Sequence, residues 1–182
     1  IFAAVVALIA GQVVMVLVMT MTPLHMADHG HGLAAVGLVI SGHTFGMFAF
    51  SPISGWLAGR FGTPIIIAAG LALSAFSSVL AAVAPPDGGA ILFIALFLLG
   101  VGWNLSFVAG SALLTEGLDG AERTTLQGAT DAMIWSSAAA AALGSGIVVA
   151  AASYTALGLL GAALIVLPVA AMLRGRAALR RS

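Results

Sequence analysis

Six apolar stretches succeed one another along this chain of 182 residues. Each has roughly the 20 residues that an α-helix needs to cross the hydrocarbon of a bilayer. They run over residues 1–22, 33–58, 64–84, 90–114 and 124–151, with a sixth that follows Ser153-Tyr154 and ends near Leu173. Pro23, Gly62 with Pro64, the run Pro85-Pro86-Asp87-Gly88-Gly89, the polar segment Thr115 to Arg123 and Arg174-Gly175-Arg176 punctuate them. In lipid the backbone N–H and C=O groups have to be paired within each segment, which selects helices. The short alternating strands of a barrel are not in the pattern. Only 7% of the residues are charged and 62% are hydrophobic, where soluble domains have about a quarter charged. The predicted fold is an all-α membrane protein: one bundle of six transmembrane helices over residues 1–182, three on each side of the Pro85–Gly89 break.

Charge sets further bounds. The net charge is zero, so nucleic acid is not an expected partner. No cysteine is present, which removes disulfides and thiolate metal sites. Arg60, Arg123, Arg174, Arg176, Arg180 and Arg181 all fall on one side of the six-helix layout. The opposite links, around Asp28, Asp87 and Ser153, contain no Lys or Arg. The positive-inside rule then predicts a multi-pass protein of the cell (inner) membrane, with the arginine side and both ends of the chain cytoplasmic. Ile1 lies inside an apolar run without a basic flank, unlike the start of a signal peptide. It reads as the interior of a longer protein.

The stretch Gly55-Trp56-Leu57-Ala58-Gly59-Arg60-Phe61-Gly62-Thr63-Pro64 links the second and third spans. Gly55 and Gly59 share a helical face that lets another backbone come close. Gly62 and Pro64 stop one helix and restart the next, and Arg60 holds a charge in the aqueous link. This stretch resembles the loop motif G-x-L-a-D-r-x-G-r-k of the major facilitator superfamily. Gly55, Leu57, Ala58, Arg60 and Gly62 fit it, Gly59 replaces the acidic position, and Thr63-Pro64 replaces the trailing basic pair. "GVGWNLSFVAGSALLTE" and "RTTLQGATD" resemble carboxy-terminal halves of bacterial facilitator-type transporters. The resemblance implies a three-plus-three inverted repeat and a missing amino-terminal half. It also implies alternating-access transport of a small organic molecule, with proton-coupled efflux as the expected direction and no cofactor. Gly55, Gly59, Arg60 and Gly62 are the expected gating loop, Arg60 pairing with Glu116, Asp119 or Glu122.

Polar residues inside apolar spans are costly and mark candidate sites. Asp131, about seven residues into the fifth span by this reading and so roughly 10 Å deep, forms a stripe with Gln127 and Trp135 at spacings of four. It reads either as a coupling or substrate-contacting stripe or as a structural hydrogen-bonding site near the inner mouth, with Arg60 as a partner. Asn104, beside Trp103 and after Gly100 and Gly102, reads as a bend with a cavity wall made by Trp103, Phe107 and Trp135. The alternative is an ordinary interhelical hydrogen bond. His43, between Gly42 and Gly46, and Gln12 are candidates of the same kind.

In the outer loop, His25, Asp28, His29 and His31 have zinc-type chemistry, but Gly30 and Gly32 make the loop a flexible solvated link, and no metal is expected. A six-helix intramembrane serine protease would use Gly144-Ser145-Gly146, yet no His follows His43 to serve as base. An enzyme is therefore not expected. A non-transporting membrane scaffold is the alternative; its buried polar residues would map to helix contacts instead of one open surface.

Overall fold

The computed structural model describes residues 2–85, 87–166 and 168–169. Among them lie seven α-helices and no strand: α1 (Phe2–Asp28), α2 (Leu33–Phe48), α3 (Ser51–Phe61), α4 (Thr63–Ala82), α5 (Gly89–Leu114), α6 (Gly120–Ala151) and α7 (Tyr154–Leu164). Helices α1, α4, α5 and α6 are each long and apolar enough to cross a bilayer, and α2 with α3 makes a fifth span bent by 40°. The described part of α7 is shorter, at 11 residues. The expected end of the sixth span near Leu173 and the arginines 174, 176, 180 and 181 lie outside the described residues.

Three boundaries differ from the sequence reading. α1 does not stop at Pro23 but continues to Asp28. A proline removes one helical hydrogen bond, and the extra turn recovers contacts: Met26 is buried and His25 stacks on Tyr154 at 4.1 Å between ring centroids. α6 begins at Gly120, with the Asp119 side chain accepting from the Glu122 N–H as N-cap, so the polar link is shorter than expected. The second span is broken at Ala49-Phe50, between α2 and α3.

The spans alternate in direction. Met26, His31 and Ala35 share a groove with Asp87, Gly89 and Phe93 at one end of the bundle. At the other end, Gly59, Gly62 and Thr63 share a groove with Thr115, Glu116 and Arg123. Arg60 and Arg123 therefore sit at the same end. The link between α3 and α4 is Gly62 alone, at φ +89°, where a side chain is rarely accommodated.

α5 is the centre of the bundle and packs against α1, α2, α3 and α4. Lipid is as apolar as leucine, so helices associate by close packing more than by the hydrophobic effect. Glycines at the crossings supply that closeness. A Cβ on Gly46 would lie 2.6 Å from the Phe97 carbonyl, and one on Gly102 would lie 2.8 Å from the Gly70 carbonyl. Ser74, Ser77 and Ser78 continue the small face of α4, each hydroxyl donating to the carbonyl four residues back. The expected close approach at Gly55 and Gly59 does not occur within this chain: a Cβ at either meets nothing within 4 Å. The Gly42–Gly46 face around His43 is the one that packs.

This geometry gives a stability prediction for the full-length protein in detergent. Gly102→Ala forces the α4–α5 crossing apart and should cost about 1–3 kcal/mol, read as a lower thermal midpoint. Gly128→Ala, at an exposed position inside α6 with nothing within 4 Å, should not lower that midpoint.

Candidate functional site

The break between α2 and α3 follows from Pro52, in the first turn of α3. It has no N–H to offer the Phe48 carbonyl, and the Ser51 hydroxyl donates to that carbonyl instead, at 3.0 Å. Asn104 of α5 closes the rest. Its Nδ2 donates to the Met47 carbonyl at 2.6 Å and to Ser51 Oγ at 2.8 Å, and its Oδ1 accepts from Ser54 Oγ. Asn104 is buried. Both of its Nδ2 hydrogens and its carbonyl are thus committed to the broken span. Sequence reasoning singled out Asn104 and missed Ser51 and Ser54; the signal was Ser-Pro in the middle of an apolar run.

One residue away, Trp103 points to α1. Its indole Nε1–H donates to Gln12 Oε1 at 2.7 Å. An indole can only donate, so this bond fixes which end of the amide faces it. The Gln12 Nε2 is left buried without a partner, a cost of about 1–3 kcal/mol for such a group. Trp103 also stacks on Phe107 at 4.6 Å, and Phe48, beside the break, meets it edge-on at 6.1 Å. Phe48 is 61% exposed. The expected third ring, Trp135, is not part of this group; it is exposed on α6.

His43 is fully buried. Its Nδ1 lies 2.7 Å from the Leu96 carbonyl, which can only accept, so in the neutral ring the proton is assigned to Nδ1. Nε2 is then a buried acceptor without a partner.

On α6 the buried residues Thr130, Ile134, Ala138, Ala141 and Ser145 form one stripe, and α6 packs on α1. Asp131 flanks that stripe half-buried, while Gln127 and Trp135 are exposed. α6 starts at Gly120, so Asp131 is about 16 Å along the helix axis, but the added first turn is exposed and carries Glu122 and Arg123, so the depth of Asp131 within the apolar part is unchanged from the sequence reading. Gln12, counted from Phe2, and Trp103, counted back from Leu114, both lie about 15–16 Å from the same end. Those two share one level, whereas Ile134 of α6 packs with Ala4, Leu8 and Leu114, which puts Asp131 nearer the arginine end.

At the arginine end, a groove of about 890 Å³ is lined by Gly55, Gly59, Gly62, Thr63, Glu116 and Arg123, among others. The Arg60 guanidinium lies over the Trp56 and Phe61 rings, at 5.9 and 5.8 Å. Among the described residues no ion pair joins it to Glu116, Asp119, Glu122 or Asp131. Asp119 caps α6 instead, and Arg60, at the end of α3, has nearer aromatic faces on its own turn. At the other end, His29 Nδ1 lies 2.7 Å from the His25 carbonyl, and Tyr154 Oη lies 2.7 Å from Thr22 Oγ1. The first contact closes the end of α1, and the second ties α1 to α7.

Long apolar helices around a glycine-packed central span, with Gln12, Asn104 and His43 buried among them and Asp131 half-buried, define an all-α, multi-pass membrane bundle. The family comparison specifies it. A family model described as Major Facilitator Superfamily matches residues 3–181, and the chain belongs to that family, whose members are transporters and not enzymes. It is 44% identical over 172 residues to the uncharacterized MFS-type transporter YdeG of Bacillus subtilis, covering 93% of this chain and 40% of that protein. It is 44% identical over 165 residues to the uncharacterized MFS-type transporter YddS of the same organism, covering 89% and 38%. It is 37% identical over 141 residues to the riboflavin transporter RfnT of Brucella anthropi, covering 76% and 34%. The chain thus spans about two fifths or less of the curated relatives it matches.

The Asn104 contacts are directly testable. Asn104→Leu leaves the Met47 carbonyl and the Ser54 hydroxyl without their partner, each worth about 1–3 kcal/mol when buried. The full-length variant should unfold at lower temperature, and spin labels on Leu38 and Trp56 should report a broadened distance as the bend loosens. An unchanged distance and midpoint would show that the bend is held without Asn104.

Proposed function

We propose that this chain is the carboxy-terminal six-helix half of a secondary transporter that moves a small organic molecule by alternating access, coupled to protons and directed outward. The observation that carries the reading is Asp131, the one carboxylate among the described residues that lies within the apolar part of a span. A charge there costs a few kcal/mol against lipid. Yet Gln127 and Trp135, on either side of the half-buried Asp131, are exposed on α6. A polar face at that depth needs protein or water against it, and a second half with a cavity between supplies both. The chain's length relative to its relatives supports the same division. The riboflavin transporter among them supports a small organic solute. Gln12, His43 and Asn104 are buried at helix contacts, as a scaffold would also have them, so the exposed Gln127 and Trp135 beside Asp131 are what favour the transporter reading.

The mechanism assigned to Asp131 is proton exchange. Protonated, it is tolerated in a closed, dry arrangement; ionised, it favours a wetted cavity, so proton binding biases one arrangement over the other. In everted membrane vesicles containing the full-length protein, a substrate from a panel of neutral, cationic and anionic solutes, riboflavin included, should accumulate against its gradient when the lumen is acid. Asp131→Asn should abolish that accumulation and keep solute–solute exchange. Uphill transport by the Asn variant at the wild-type rate returns Asp131 to a structural role. A panel in which no solute moves the proton gradient overturns the efflux reading.

The Gly55–Gly62 stretch is proposed as the cytoplasmic gate. Its uncovered glycine face and the groove beside Glu116 offer a seat for a helix of the other half, and Arg60 stands at the rim. In intact cells an impermeant thiol reagent should label Asp87→Cys and not Thr63→Cys. In everted vesicles Thr63→Cys should label, and faster when combined with Arg60→Ala. Labelling of Thr63→Cys from outside refutes the orientation; an unchanged rate with Arg60→Ala leaves Arg60 with a topological role only.

A further inference from the structure

We infer that the groove between α2 and α5, at the end of the bundle opposite Arg60 and Arg123, binds a membrane phospholipid through a zwitterionic, ethanolamine-type headgroup. The inference goes beyond the transport reading and does not depend on it.

The groove has the polarity of a lipid. It encloses about 580 Å³, within the roughly 300–1,000 Å³ of sites that hold small organic groups. His31 and Asp87 stand at its aqueous rim, in the α1–α2 and α4–α5 links, and its other lining side chains are apolar, Leu38, Ala90, Phe93 and Ile94 among them. A headgroup is accommodated at the rim and hydrocarbon below it.

Glycine shapes the floor. A Cβ on Gly42 would run into the Phe93 ring, so only a glycine there lets Phe93 lie against the α2 backbone. Phe93 then stacks on Phe97 at 6.4 Å, and Phe97 meets Phe50 edge-on at 6.0 Å. Counted from Gly89 at the start of α5, Phe93 and Phe97 are about 6 and 12 Å down the helix axis. An acyl chain in one leaflet of a core about 30 Å thick covers that depth.

The groove opens away from the centre of the bundle. Trp103 addresses α1, and Ile94 is nine residues from it, which at about 100° per residue is the opposite side of α5. Leu38 and Ile94 are 61% and 49% exposed, so a chain lying in the membrane reaches the groove sideways.

Charge selects the headgroup. The helices packed on α2 and α5 are α1, α3 and α4. At this end α1 contributes His25 and Asp28, α4 has no charged residue, and the links add His29, His31 and Asp87. Arg60 and Arg123 lie at the other end and Asp131 on α6 lies nearer to them, so no Lys or Arg stands near this rim among the described residues. A lipid whose one headgroup charge is its phosphate faces Asp87 uncompensated. A headgroup that also has an ammonium offers Asp87 a partner of opposite sign.

The test places the full-length protein in a bilayer of equal parts phosphatidylethanolamine and phosphatidylglycerol with matched acyl chains. Ile94→benzoylphenylalanine supplies a photoreactive group, and its adducts are identified by mass spectrometry. Lipid adducts are expected, with phosphatidylethanolamine enriched about threefold over the bilayer ratio, the scale of one exposed ion pair. Phe76→benzoylphenylalanine, exposed on α4 at a similar distance from that end, should report the bilayer ratio. Asp87→Asn should return the Ile94 adducts to that ratio, and so should Ala90→Trp, which fills the groove from an exposed position. The bilayer ratio at Ile94 without either change, equal enrichment at Phe76, or enrichment that survives Asp87→Asn or Ala90→Trp overturns the site. Adducts to protein in place of lipid overturn it as well and assign the groove to the other half of the molecule.

Discussion

Inside a bilayer no water is at hand to bond a stray carbonyl, and the second span shows how much follows from that. Pro52 makes a continuous helix from Leu33 to Phe61 impossible without an unsatisfied group. The break is tolerated because Ser51 and Asn104 take over the exposed carbonyls of Phe48 and Met47. Asn104 can reach them only because α5 lies close, and α5 lies close because glycines occupy the crossings at Gly46, Gly70, Gly100 and Gly102. Backbone satisfaction, close packing and the bend are therefore one arrangement. Disturbing any of the three disturbs the others.

The same closeness positions the chemistry. Trp103 and Asn104 are adjacent on α5, yet they serve different neighbours: Asn104 the broken span, Trp103 the Gln12 amide of α1. One residue on a helix is a turn of about 100°, so neighbouring positions address neighbouring helices. Asn104 uses its whole hydrogen-bonding capacity inside the fold, whereas Gln12 does not. That difference lies in what each amide meets across the helix crossing, and composition alone could not make it. Asp131 belongs to a third category, half-buried between the packed stripe of α6 and the exposed Gln127 and Trp135.

Much of the architecture was legible in the chain. Hydrophobic length and the requirement that backbone groups pair within each segment dictate helices, their approximate number and the links between them. The family motif was legible too, because Gly62 has to adopt a positive φ for a one-residue link and its neighbours follow a short pattern. Less legible were the ends of helices. Pro23 looks like a stop, yet α1 passes through it because Met26 and His25 find partners on other helices. The bend at Ala49-Phe50 was hidden inside an apolar run that hydropathy cannot divide.

Sequence by itself determined that the chain is a helical membrane protein, that Arg60 and Arg123 fall at the same end, and that the amide, imidazole and carboxylate groups within its spans include Gln12, His43, Asn104 and Asp131. These follow from local composition and period, which act on each segment separately. Only the tertiary structure decided which of those groups are spent. Asn104 is saturated by Met47, Ser51 and Ser54; Gln12 and His43 each keep one buried atom unpaired; Trp135 stays apart from Trp103. The glycine faces divide in the same way, Gly42–Gly46 packed and Gly55–Gly59 open. Hydrogen-bond saturation and van der Waals contact depend on what lies across the crossing, and residues far apart in the chain, such as 12 and 103, are brought within bonding distance only when the helices dock.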